Sequence, residues 1–251
     1  MFSLTHIDPD YLYPESDGLP MADNTEQYEW IVKIKENLEI LYADDPDIFI
    51  AGDLLWYPVK DRKITHPVAP DVMVVFGRSK GKRGSYKQWE EDNIAPQVVF
   101  EILSPSNTQQ EMEHKLEFYQ RYGVEEYYLY DPQKNKLLGW VREGDLLIEI
   151  KSINNWMSLR LNIKFKHDEQ GLEIYTPQGN KFLTSVELAQ NLTLEKQKVK
   201  LEKPRAESEK QRAESEKQRA ESEKQRADLA EVKLAQMQEL LRQAGISLPD
   251  D

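Results

Sequence analysis

Residues 97–103 read "QVVFEIL", and a run that is apolar on both strand parities has few places to go in a folded chain. Side chains alternate between faces along a strand, so Val98, Phe100 and Ile102 point one way and Val99 and Leu103 the other. Both faces need cover, which is the condition of a central strand with a layer packed on each side. Glu101 interrupts this run, and the turn "SPSN" at 104–107 closes it. A carboxylate buried there without a partner either costs several kcal/mol or gives up its charge. It requires a cationic side chain, a set of hydrogen bonds or a metal ion.

Other short β-type runs lie around this strand, at 48–57, 71–76, 126–131, 136–141 and 145–150. A helix is expected after Asn24 or Thr25, either of which can cap it, because Trp30, Ile31, Ile34, Leu38 and Leu41 recur at helical spacing. A second helix is expected over 109–122, ending at Gly123. Helix, strands, helix and further strands in this order predict an α/β or α+β fold built on a mixed sheet. We expect an extended N-terminal arm over 1–23, a globular domain over 24–184 and a helical tail over 185–251.

The tail is set apart by "AESEKQR", repeated in tandem at 206–212, 213–219 and 220–226. Every seventh residue from Ala206 is apolar (Ala213, Ala220, Ala227, Leu234, Leu241), which is the coiled-coil period. The matching second core position is Glu209, Glu216 and Glu223 before Ala230 and Met237 take over. The pattern suits a long solvated helix with charge pairs, or a coiled coil that tightens toward its C-terminal end. Pro204 is expected to start or kink a helix.

Composition narrows the chemistry. The 251 residues include no cysteine, which excludes disulfides, zinc-thiolate sites and cysteine nucleophiles and fits a cytoplasmic protein. No apolar run approaches the roughly 18–20 residues of a membrane span, and the N-terminus lacks the pattern of a signal peptide, so no membrane partner is expected. The four histidines, His6, His66, His114 and His167, have no metal-ligand spacing, and no glycine-rich phosphate loop opens a helix. A net charge of −12 argues against a broad nucleic-acid-binding surface. It leaves room for a nuclease that binds phosphate through a cation.

The candidate residues are few. Asp71 follows Pro70 at the start of one strand and reads either as a turn residue or as a ligand. Lys115 shares a helix face with Met112, Leu116 and Tyr119, so it either snorkels to the rim or meets Glu101. Two carboxylates on neighbouring strands with a lysine nearby can hold a hard divalent cation and offset charge on a phosphoryl transition state. The basic stretch 77–87, with Arg78, Lys80, Lys82, Arg83 and Lys87, is either a solvated loop or a holder of flanking phosphates. Asp53, in "AGD", is either a third acidic ligand or part of a bulge.

Taken in order, "PD" at 70–71, "EILSPSN" at 101–107, "KLEFY" at 115–119 and "GVEEYYLYDP" at 123–132 resemble the Uma-type restriction endonuclease-like family of the PD-(D/E)XK nuclease superfamily. The resemblance runs from about residue 48 to 150. It implies a restriction-endonuclease-like core, a mixed sheet flanked by helices, with Asp71 and Glu101 as ligands of Mg²⁺ or Mn²⁺. It also implies that the Ile102 backbone carbonyl completes the protein's share of the coordination. The lysine that the superfamily places two residues after the glutamate is Leu103 here, and Lys115 matches the family's alternative position on the following helix. The expected activity is hydrolysis of DNA phosphodiester bonds by an endonuclease whose catalytic residues are Asp71, Glu101 and Lys115, in a homo-oligomer formed through the core and the C-terminal helix. The alternative is an inactive nuclease-like domain that works as an interaction protein through its tail.

Overall fold

The computed structural model describes residues 13–18 and 20–243. The expected arm is therefore seen from residue 13, without regular secondary structure up to the first helix; its first twelve residues lie outside the described ones.

Helix α1 (Thr25–Leu41) begins where Asn24, in extended conformation, accepts the Gln27 N–H through its side chain. Its buried residues are Gln27, Ile31, Ile34, Asn37 and Leu38. The chain then forms β1 (Ile48–Gly52), β2 (Trp56–Tyr57), β3 (Val72–Phe76), β4 (Tyr86–Lys87) and a short 3₁₀ turn. Strand β5 (Val98–Ile102) leads into α2 (Gln109–Tyr122), which Thr108 caps at the start and Gly123, at φ 95°, ends in the left-handed region. After it come β6 (Glu126–Asp131), β7 (Lys136–Glu143), β8 (Leu146–Glu149), β9 (Lys164–Asp168), β10 (Gly171–Tyr175) and α3 (Ser185–Gln243).

The main sheet has the order β1-β3-β5-β6-β7-β8. Only β5 and β6 run parallel, and they do so because α2 crosses over between them. This is the expected mixed sheet flanked by helices. Strand β5 is central and buried along its whole length. One face of the sheet carries Val98, Phe100 and Ile102 and is covered by α1 and the β9–β10 hairpin. The other carries Val99 and is covered by α2 through Tyr119 and partly buried Met112, Leu116 and Phe118.

Three expectations change. The run 48–57 is not one strand: Asp53 sits at φ 49°, and its N–H donates to the Pro70 and Asp71 carbonyls, so the chain leaves the sheet and β2 pairs parallel with β4 instead. The β9–β10 hairpin was not anticipated, because its outward positions are charged and its apolar anchors, Phe165, Leu172 and Ile174, are isolated in sequence. Pro204 does not start the tail helix, which runs unbroken from Ser185 to Gln243. An exposed proline removes one helical hydrogen bond, and water can take the freed carbonyl.

The chain divides into two compact units, residues 1–188 and 189–251, with α3 beginning in the first. In the second unit the described part is a single helix, and none of its described side chains is buried. Among the described residues no helix is long and apolar enough to cross a membrane.

Candidate active site

Strand register brings the two carboxylates together. Val72 of β3 pairs with Phe100 of β5, so one step further Asp71 comes abreast of Glu101, on the face that α2 covers. Asp71 is 7% exposed and Glu101 2%. The Asp71 Oδ2 atom accepts the Ile102 N–H at 2.6 Å, a main-chain bond that fixes the side chain against the end of β5.

Helix α2 supplies the partners that Glu101 requires. Lys115 donates from Nζ to Glu101 Oε2 at 2.9 Å, and the Tyr119 hydroxyl donates to Oε1. The two donors are four residues apart, hence neighbours on one helix face. Lys115 keeps 18% of its side chain exposed. Burial lowers its proton affinity, but the carboxylates of Glu101 and Asp71 outweigh that, and the net shift is upward. Tyr119 is pushed well above the usual phenol range, first by burial and then by Glu101, so it stays protonated and donates.

These groups open on a cavity of about 400 Å³. Six carboxylic side chains line it (Asp17, Asp23, Asp53, Asp71, Glu101 and Glu111) against one amine, Lys115. The imbalance is felt at Asp71, whose carboxyl is pushed well above the ordinary range by burial first and by Glu101 second, with Lys115 and the Ile102 N–H pulling the other way. Asp53 is also raised, by burial and then by Asp17. It both forms the turn after β1 and lines the cavity.

Oxygen donors in surplus over positive charge are the donor set of a hard divalent cation, and the site fits one. Among the described residues no group of three or more His, Cys, Asp or Glu side chains converges on a single point. The protein's share would therefore be two carboxylates plus main chain, with water or substrate completing the shell, as Mg²⁺ prefers. The Ile102 carbonyl already accepts from Gln27 Nε2 at 2.9 Å, which leaves one lone pair for coordination.

Gln27 was not foreseen as a site residue. Its side chain also accepts the Asp23 N–H at 2.8 Å, so it ties the arm, α1 and the end of β5 together. The readable signal was an amide at helical spacing from Ile31 and Ile34. Asp23 was missed as well; it accepts from Ser104 Oγ at 2.5 Å and from Ser106 Oγ. The Ser-Pro-Ser turn is thus a docking point for the arm.

The basic stretch is placed elsewhere. None of Arg78, Lys80, Lys82, Arg83 and Lys87 lines the acidic cavity. Arg78 pairs with Glu91 and Asp92, Arg83 with Glu91 and the Phe49 ring, Lys80 with the end of α1, and Lys87 with Glu90 and the Tyr13 ring. Lys82 alone of the five is exposed.

A family model described as Uma2, "Putative restriction endonuclease", matches residues 26–164. The chain belongs to the Uma2 family. The match spans α1 to the start of β9 and so contains Asp71, Glu101 and Lys115. Among solved structures, this Uma2 chain is similar to a protein titled a putative nuclease of DUF820 from Anabaena variabilis ATCC 29413. The two share 14% identity over 54% of this chain and 72% of that one, with a TM-score of 0.40. No curated protein matches it.

Proposed function

We propose that this Uma2 protein is a divalent-metal-dependent nuclease that hydrolyses DNA phosphodiester bonds, with Asp71, Glu101 and Lys115 as its catalytic residues. The observation that carries this reading is the meeting of Asp71 and Glu101 on adjacent strands at an acidic cavity, with Lys115 on Glu101. Asp71, Glu101 and the free lone pair of the Ile102 carbonyl would hold Mg²⁺ or Mn²⁺. Such an ion polarises a phosphoryl oxygen and acidifies water at neutral pH.

The chain's own groups do the positioning. Asp71 grips the Ile102 N–H and Gln27 the Ile102 carbonyl, so the main chain of the residue after Glu101 is held at both of its polar groups. The Tyr119 hydroxyl fixes the orientation of Glu101. Lys115 has three donors, and the ion pair with Glu101 uses one. The others are available to orient the attacking water and to offset charge gathering on the phosphoryl oxygens.

Incubating the protein with linear DNA in Mg²⁺ or Mn²⁺, beside Asp71→Ala and Glu101→Ala, tests the reading. Wild type should cut and both variants should lose at least about 100-fold, the scale of removing a main electrostatic group. Equal cutting by all three would assign the activity to a contaminant. Metal should also raise the melting temperature of wild type by mass action and leave Asp71→Ala unmoved.

A second reading, an interaction protein working through its tail, is favoured by one observation. Leu229, Val232, Leu234, Met237 and Leu240 are exposed on α3, where the heptads become apolar. We infer that a homo-oligomer formed there would be lost on truncation after Leu188, which sedimentation would detect.

A further inference from the structure

Between β2 and β3 the chain leaves Trp56, turns at residues 61–64 and returns to Val68, from which it runs along the wall of the carboxylate cavity to Asp71. The base of this loop is closed by two main-chain bonds. The Trp56 N–H donates to the Val68 carbonyl at 2.8 Å, and the Val68 N–H to the Trp56 carbonyl at 3.3 Å. Trp56 is fully buried, so the closure is anchored in the core. The outgoing limb is braced by Tyr13, whose hydroxyl donates to the Lys60 carbonyl at 2.6 Å. At the tip, Asp61 accepts the Lys63 N–H through its side chain at 2.9 Å and the Ile64 N–H through its carbonyl at 3.0 Å. The loop is built to hold its tip at a set place relative to Asp71.

That tip carries charge which the fold leaves unused. Residues 58–66 contain Lys60, Arg62 and Lys63 against one acid, Asp61. Lys60 and Lys63 are exposed, and among the described residues neither side chain has a hydrogen bond or an ion pair. The facing helix α2 is the opposite: Glu111, Glu113 and Glu117 stand against Arg121 and a Lys115 already paired with Glu101. A polyanion is therefore drawn to the loop rather than to the helix. Directly after Lys63, Ile64 stands 63% exposed. A lone exposed isoleucine is ordinary on a protein surface. This one sits beside cations on a loop tied to Asp71, and cations with an aliphatic wedge between them are what minor-groove-binding proteins present to DNA. Residues 58–66 include no Phe, Tyr or Trp on which an unpaired base could stack, which favours a duplex over a single strand.

We propose that this loop holds duplex DNA, with Lys60 and Lys63 on its phosphates and Ile64 against the minor groove, so that the neighbouring backbone lies at Asp71 and Glu101. The proposal rests on the nuclease reading of this site. It moves the nucleic-acid contact from the stretch 77–87, whose cations are largely occupied by internal partners, to a segment that itself leads into the site.

The test measures binding of a short fluorescein-labelled duplex to the full chain in Ca²⁺, by anisotropy over a series of salt concentrations, and cleavage in Mn²⁺. Each lysine on a phosphate contributes about one unit to the slope of log K against log salt, so Lys60→Ala/Lys63→Ala should flatten that slope by about two units. Ile64→Ser should weaken binding at least about ten-fold at every salt concentration and leave the slope unchanged, as expected for a lost aliphatic contact. Lys82→Ala removes an exposed lysine that does not line the cavity, and it should change neither quantity. All of these side chains are exposed, and thermal midpoints equal to wild type check that the variants fold. Single-stranded DNA of the same sequence should compete more weakly than the duplex. An unchanged slope in the double variant overturns the inference, as does an equal change in Lys82→Ala, tighter binding of the single strand, or binding of neither DNA. The expected slopes without any cleavage would instead overturn the nuclease reading and leave the loop standing. Cleavage by wild type with a slope that the double variant does not alter would do the reverse.

Discussion

Asp71 departs furthest from the ordinary chemistry of its residue type. In the metal-free protein its carboxyl holds a proton more tightly than it would in the unfolded chain. Between the ordinary carboxylate range and that raised value the folded state therefore binds more protons, and stability falls as pH rises through the window. Asp71→Asn keeps an oxygen for the Ile102 N–H and cannot ionise. It should melt higher than wild type in EDTA at neutral pH, with the difference vanishing below about pH 4, where both states of wild type are protonated. Melting curves across pH check this; a constant difference would mean that the charge is not the cause. Tyr127 offers a second case on the same face. Among the described residues its hydroxyl is buried without a partner, beside the Tyr119 ring and stacked on Trp140. Leaving a buried hydroxyl unpaired costs about 1–3 kcal/mol. Tyr127→Phe should therefore match or exceed wild-type stability in denaturant titration, where most buried substitutions lose it.

At the level of elements, the question is why the lysine comes from α2. Leu103 has the same strand parity as Glu101, and a lysine there would share its face if β5 continued. It does not continue: β5 ends at Ile102. Leu103 instead lines a different groove with Met112, Leu116 and Trp140, one that does not include Asp71, Glu101 or Lys115. Restoring the superfamily position should therefore fail. Leu103→Lys placed in Lys115→Met is expected to cleave no faster than Lys115→Met alone in single-turnover assays, and recovery would show that the ammonium can reach the site from β5. The missed elements have a related explanation. A hairpin such as β9–β10 buries three scattered side chains against the sheet, and their value is visible only once that sheet exists.

For the whole molecule, the two compact units bury very different amounts of surface. In the second unit none of the side chains described within residues 189–243 is buried, so its helix draws on local terms. Truncation after Leu188 should leave the thermal midpoint of the remaining unit within about 2 °C of the full chain while removing helical circular dichroism, because a stability change under about 0.5 kcal/mol moves a midpoint by no more than that. A larger fall would reveal that the tail supports the folded unit.

The outline of this protein follows from local patterns. An apolar run on both parities can only be a central strand, caps and periodicity place α1 and α2, and a heptad of charged residues cannot build a core. Glu101 and Lys115 stood out as charged groups where burial was expected, and Asp71 as the acid that follows Pro70 at the start of a strand. The meeting of Gln27 with Ile102, the docking of Asp23 on Ser104 and Ser106 and the basic loop turned toward its own acids were not legible. Each depends on contacts between segments far apart in sequence, and the energy of such a contact belongs to the pair rather than to either residue alone. That difference separates the two kinds of statement about "VVFEILSPSN": the strand and its carboxylate are properties of ten residues, whereas what meets them is a property of the fold.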